Sequence, residues 1–193
     1  MVRLLLVLVL SFFCALSVAS DKAVHADRDY IERIEPRLRE DKLYIDVDAH
    51  LILSSELRNA AEKGIPLYFV AEVEIFQPRW WWFNKKVVKE QQTWRIVYNA
   101  LTRQWRVGTS DLYLPESSLD DALALIRHIR GWALAYAIDL DRDVEYEGRV
   151  RIRLDTSLLA RPFQVDAINS SSWSLITPWK SFSFSVSVDE PQP

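Results

Sequence analysis

The stretch "IPLYFVAEVEIFQPRWWWFNKKVVKEQQTWRIVY" (Ile65–Tyr98) decides the fold. Leu67, Phe69, Ala71, Val73 and Ile75 alternate with more polar neighbours, the period-two pattern of a strand with one buried face. "VVKEQQTWRIVY" (Val87–Tyr98) reads as a returning strand, and the residues between the two form a hairpin. Asn99–Gln104 makes a turn, and "WRVGTSDLYL" (Trp105–Leu114) supplies one or two shorter strands. Strand, turn and strand at this spacing is an antiparallel meander.

The same pattern extends in both directions. "KLYIDVDAHLIL" places Leu43, Ile45, Val47, Ala49, Leu51 and Leu53 on one face and Tyr44, Asp46, Asp48 and His50 on the other. "SSELRNAAEKG" reads as a short helix begun at Ser54 or Ser55 and stopped at Gly64. "SSLDDALALIRHIRGW" reads as a second helix, with Ser118 and Asp121 at capping-box spacing, Leu119, Leu123, Ile126 and Ile129 on its apolar face, His128 at its surface and Gly131 as its stop. In "VEYEGRVRIRLDT", Val150, Ile152 and Leu154 alternate with Arg149, Arg151 and Arg153, and "SFSFSVSV" closes the strand series. Residues 158–180 form an irregular, packed loop. The expectation is a β-rich α+β protein, an antiparallel β-sandwich with two short helices in one domain over residues 27–188, followed by a flexible tail, 189–193.

"MVRLLLVLVLSFFCALSVAS" has one arginine and then an apolar run from Leu4 to Leu16, the make-up of a secretory signal. Small residues permit cutting after Ala19 or Ala26, of which Ala26 is preferred, giving a signal peptide over residues 1–26. An uncut signal would instead leave the chain membrane-anchored. Cys14 is the single cysteine and lies inside this segment, so the domain holds together without disulfides and has no thiol chemistry. The whole chain carries a net charge of -3. That balance does not suggest a nucleic-acid partner.

The inventory for catalysis is thin. Four glycines, no Gly-x-Ser-x-Gly turn and no phosphate-cradling loop speak for a non-enzymatic protein, and no cofactor is implied. Asp46, Asp48 and His50 share a strand face and make a weak metal site with help from Glu72 or Glu74; the same alternation also describes the solvent face of an amphipathic strand. "DLDRDVEYE" starts like a calcium loop but has Val144 and Val150 where the loop needs glycine and glutamate, and reads instead as a charged edge strand. The Arg149, Arg151, Arg153 stripe either meets an acidic ligand or pairs across strands with Asp46 and Asp48 or with Glu72 and Glu74.

Three consecutive tryptophans cannot all enter one core if the strand continues through them, because neighbours on an extended chain point to opposite faces. Two readings of the hairpin stay open. Trp80, Trp81 and Trp82 form a lid over one end of the sandwich, against Trp173 and Trp179, or they form with Arg79, Lys85 and Lys86 an exposed edge for an envelope protein partner or a membrane surface.

Taken together, Gly64-Ile65-Pro66-Leu67, Arg79 to Trp82, the run Val97-Tyr98-Asn99-Ala100-Leu101-Thr102-Arg103-Gln104-Trp105, and Pro162-Phe163-Gln164 ahead of Trp173 resemble the DUF4390 proteins, an uncharacterised bacterial family with an export signal. Val97 stands where that family usually has leucine. The resemblance implies a periplasmic location and carries no catalytic residues. Its members are often encoded beside a membrane sensor histidine kinase, which implies a link to envelope sensing. The function expected is a non-catalytic, exported interaction module; the alternative is a periplasmic small-ligand or metal-binding protein.

Overall fold

A computed structural model of the chain describes residues 28–39, 41–79, 83–110, 112–136, 139–141 and 144–186. The expected signal peptide, the tryptophans at 80–82, Asp143 of the acidic run and the tail at 189–193 lie outside the described residues.

Nine strands form two antiparallel sheets among these residues. The smaller sheet has the order β1 (Tyr30–Arg39), β2 (Lys42–His50), β7 (His128–Tyr136). The larger has the order β6 (Leu112–Glu116), β5 (Gln104–Thr109), β4 (Lys85–Asn99), β3 (Leu67–Gln77), β8 (Glu145–Leu154), β9 (Lys180–Ser185). The meander expected over β3 to β6 is present. The core lies between the sheets and is built from the alternating residues of each: Leu67, Phe69, Ala71, Val73 and Ile75 of β3 are 0% exposed, and Leu43, Ile45 and Val47 of β2 face them with 1% or less. Burying a side chain of this size stabilises the fold by about 1.5–3 kcal/mol.

Three short α-helices accompany the sheets, one more than expected. Helix α1 (Ser55–Glu62) is capped by the Ser54 hydroxyl, which accepts from Leu57 N at 3.1 Å. It ends on Gly64 at φ 84, where Gly64 N and Ile65 N return to the Ala61 and Ala60 carbonyls. Helix α2 (Leu119–Arg127) is capped by Ser118 and packs on β2 and β7 of the smaller sheet as well as on β4, β5 and β6 of the larger. Helix α3 (Arg161–Asn169) occupies the stretch read as loop, opening with Pro162 in its first turn.

Helix α2 ends at Arg127, two residues short of the Ile129 that its apolar spacing includes. His128 and Ile129 belong to β7, pairing with Asp48 and Val47 of β2. The unpaired edge of β2 offers more hydrogen bonds and apolar cover than another helical turn would. Gly131 at φ 60 lies within β7, where the register with β2 shifts, and is not a helix stop. Strand β1 escaped the period-two reading because Pro36 and a bulge between Ile31 and Arg33 break its alternation. The reading of "DLDRDVEYE" as an edge strand is also corrected. Asp139–Asp141 precede β8, which is internal, with β3 on one side and β9 on the other.

Candidate functional site

Strand β4 is fifteen residues long, and its two halves have different neighbours. Trp94–Asn99 pair with β5 on one side, and Trp94–Ile96 also pair with β3 on the other. At Thr109 and Ser110 (φ 51) strand β5 turns away into β6. From Lys85 to Thr93 no strand pairs with the second side of β4 among the described residues. Strand β7, at the edge of the smaller sheet, lies against β4 on this side of the sandwich.

A cleft of about 980 Å³ opens there, lined by Gln91–Arg95 of β4, His128–Ala133 of β7 and the end of β5 at Thr109 and Ser110. Its volume falls in the range of small-molecule and peptide pockets. Gln92 and Trp94 are on the face of β4 that looks toward the smaller sheet, opposite Ala71 and Phe69 of β3, while Arg95 is on the outer face beside Tyr68. Gln92 Oε1 and Trp94 Nε1, on the inward face of β4, and Arg95 Nε, on its outer face, are buried side-chain atoms without a hydrogen-bond partner, and all three residues are part of the β4 lining of this cleft. Buried polar atoms left unpaired are rare and costly, and they mark where water or a ligand completes the set. A second recess of about 420 Å³, on the outer face of the larger sheet, shares Gln91 with the cleft and is lined by Lys89, Glu72, Arg151 and Trp179.

Charge is organised on both outward sheet faces. On the smaller sheet, Asp48 accepts from Arg33 Nη2 at 2.9 Å, from His128 Nδ1 at 2.8 Å and from Arg130. The His128 bond, reinforced by both guanidiniums against the effect of burial, holds the Asp48 carboxyl well below the usual aspartate range. On the larger sheet, the arginine stripe pairs across strands. Arg149 Nε donates to Glu74 at 2.9 Å, Arg153 Nε donates to Glu72 at 3.0 Å, and Arg151 shares Glu72. Burial alone would raise Glu72 and Glu74, but these arginines and Lys86 outweigh it and both carboxyls end below their ordinary value. Of the two acidic rows weighed for the stripe, Glu72 and Glu74 are the partners. Trp179 packs flat on the pair, its ring 4.6 Å from the Arg149 guanidinium and 4.5 Å from that of Arg151.

The expected site residues are distributed as follows. Arg79, Lys85 and Lys86 are exposed at the described ends of the β3–β4 hairpin, with Lys86 paired to Glu74 and its ammonium 5.5 Å from the Phe76 ring. Trp80, Trp81 and Trp82 lie outside the described residues. Of the other residues of the lid reading, Trp173 stacks on Phe163 at 6.1 Å and Trp179 packs on the arginines. Asp46 and Asp48 share a face, but their oxygens are taken by Arg37, the Gly131 N–H, Arg33, Arg130 and His128. His50 stacks on Tyr30 at 5.2 Å. No group of three metal-ligating side chains converges among the described residues.

The cleft itself was missed in the sequence, although β4 carries a signal of it. Val88, Glu90, Gln92, Trp94 and Ile96 share the inward face, so Glu90 and Gln92 interrupt an apolar row. Polar residues on a core-facing row mark a stretch the core does not cover.

Among known protein families, the one described as a domain of unknown function, DUF4390, matches residues 26–183. The chain belongs to the DUF4390 family. Comparison with curated proteins and with solved structures found no match. The stretches that carried the resemblance to DUF4390 have structural duties here. Gly64 ends α1 and Leu67 opens β3. Asn99 Oδ1 accepts from Leu101 N at 3.0 Å and Thr102 N at 3.3 Å, folding the turn that Arg103 completes at φ 53. Gln164 Nε2 donates to the Ser157 and Leu159 carbonyls, tying α3 of this DUF4390 chain to the short 3-10 turn (Thr156–Leu158) that follows β8.

Proposed function

We propose that the chain is an exported, non-catalytic interaction module of the bacterial envelope, and that its protein partner seats along the cleft between β4 and β7. The observation that carries this reading is that three residues of β4 lining that cleft hold unpartnered buried polar atoms, Gln92 and Trp94 on the inward face and Arg95 on the outer one. The leader-like first residues, with Cys14 the one cysteine, support export. The clustered carboxylates Asp48, Glu72 and Glu74 are each held by guanidiniums, which suits structural ion pairs better than acid–base work. The hairpin residues Arg79, Lys85 and Lys86 extend the same basic edge.

Site-specific photo-crosslinking in the native host tests this. A photoreactive residue at Gln91, on the rim of the cleft, should give a discrete protein adduct that the same residue at Ser183 of β9 does not. No adduct at Gln91, or the same adducts from both positions, overturns the reading.

A further inference from the structure

Among the described residues, one side of β4 from Lys85 to Thr93 has no strand beside it. The residues from Lys85 to Thr93 continue in line beyond the point where β5 leaves, an edge about 30 Å long at roughly 3.3 Å per residue. Edges of this length are usually shortened, covered or interrupted by proline, because their free N–H and C=O groups template another strand. The other edges show such devices. Strand β1 carries Pro36, β6 carries Pro115 and spans only five residues, β9 spans only six, and β7 has two register shifts with Gly131 inside one of them. On β4 the open half is guarded only by charge and by one register shift near Val87, toward its hairpin end.

We propose that this edge receives an extended, acidic segment of the partner protein, which adds to the larger sheet as a strand in line with β5. This rests on the interaction-module reading above and gives it a mode of binding. Three observations support such a segment, the first of them its acidity. Lys85 and Lys89 are exposed on the edge and Arg95 lines the cleft, against Glu90, while Arg130 of the cleft is paired with Asp48. The unpartnered atoms are two donors, Trp94 Nε1 and Arg95 Nε, and one acceptor, Gln92 Oε1, a set that amide and carboxylate groups of a peptide complement. The cleft beside the edge gives every second side chain of an added strand a place between the sheets, next to Trp94 and Trp132. A second copy of this chain fits less well, since antiparallel self-pairing centred on Lys89 sets lysine against lysine.

The test pans a random twelve-residue linear peptide library against the full mature chain, then measures amide hydrogen exchange with the selected peptides bound. Acidic peptides without a central proline should emerge and should slow exchange within Lys85–Thr93. Lys85→Glu combined with Lys89→Glu should weaken them about tenfold or more while leaving the thermal midpoint in place, because both side chains are exposed. Failure to enrich peptides, or binding without protection of β4, overturns strand addition. Protection of β4 in the free protein, accompanied by a dimer in sedimentation, overturns it in favour of a second copy. If crosslinks from Gln91 persist while strand addition fails, the interaction module stands and only its mode falls; loss of both removes both.

Discussion

Asp48 shows how one carboxylate organises a sheet face. It is 8% exposed and receives Arg33 from β1 and both His128 and Arg130 from β7, so a single residue of the central strand joins all three strands. Its value in the folded chain lies below the ordinary 3.8, so the unfolded chain takes up the proton first as pH falls. The stabilisation is therefore complete above that ordinary value and is lost progressively below it. Asp48→Asn should lower stability at pH 7 by about 1–3 kcal/mol, since it leaves charged donors without their acceptor. Thermal unfolding from pH 7 down to pH 3 checks this: the gap between parent and variant should narrow on the acid side, and a constant gap would show that the loss is packing and not charge. At this scale the sequence was partly legible. The alternation of "YIDVDAH" placed Asp46 and Asp48 on one outward face, but it could not show that arginines and a histidine distant in the chain would claim their oxygens.

At the scale of elements, the joins between strands set the limits. Gly108 of β5 lies opposite Tyr113 of β6, and a Cβ there would stand 1.8 Å from the Leu112 carbonyl oxygen. Gly148 of β8 lies opposite Phe182 of β9, where a Cβ would meet the Phe182 ring at 2.2 Å. The first obstacle is backbone and the second a side chain. Overpacking of this kind costs typically about 1–3 kcal/mol. Gly108→Ala should therefore be the more damaging, because β6 must leave its register, whereas Gly148→Ala can be absorbed by rotation of Phe182. Equilibrium denaturation of the two variants checks the order, and equal losses would mean that Phe182 is as fixed as the backbone. Element boundaries were least legible where pairing overrode local pattern. "LIRHIRGW" continues a helical apolar spacing through Ile129, yet the open side of β2 draws His128 and Ile129 into a strand. In "YIERIEPRLR" a bulge and a proline conceal a strand held by its neighbour.

On the scale of the whole molecule, a sandwich of three strands against six leaves part of the larger sheet without a covering strand among the described residues, and α2 packs between β2 and β7 of one sheet and β4, β5 and β6 of the other. The uncovered remainder is the β4–β7 cleft, so the proposed site is a consequence of unequal sheets. The export reading makes its own prediction at this scale. Cell fractionation of the native host should place the chain outside the cytoplasm, with Asp27 as the mature N-terminus; cytoplasmic recovery with Met1 intact would remove the envelope setting.

Period-two alternation by itself determined the two-layer, antiparallel architecture and most of the core, because a strand with one apolar face must bury it against another layer. The apolar run after Arg3 marked the leader-like first residues, and the spaced signatures around Gly64, Tyr98 and Gln164 led to the family. Only the tertiary structure decided that Arg149, Arg151 and Arg153 are committed to Glu72 and Glu74, that Asp48 joins three strands, and that β4 runs nine residues past its last pairing with β5. Alternation is a property of one strand and its solvent, and is written locally. Which strand lies beside another, and where that neighbour turns away, depends on contacts between residues far apart in the chain.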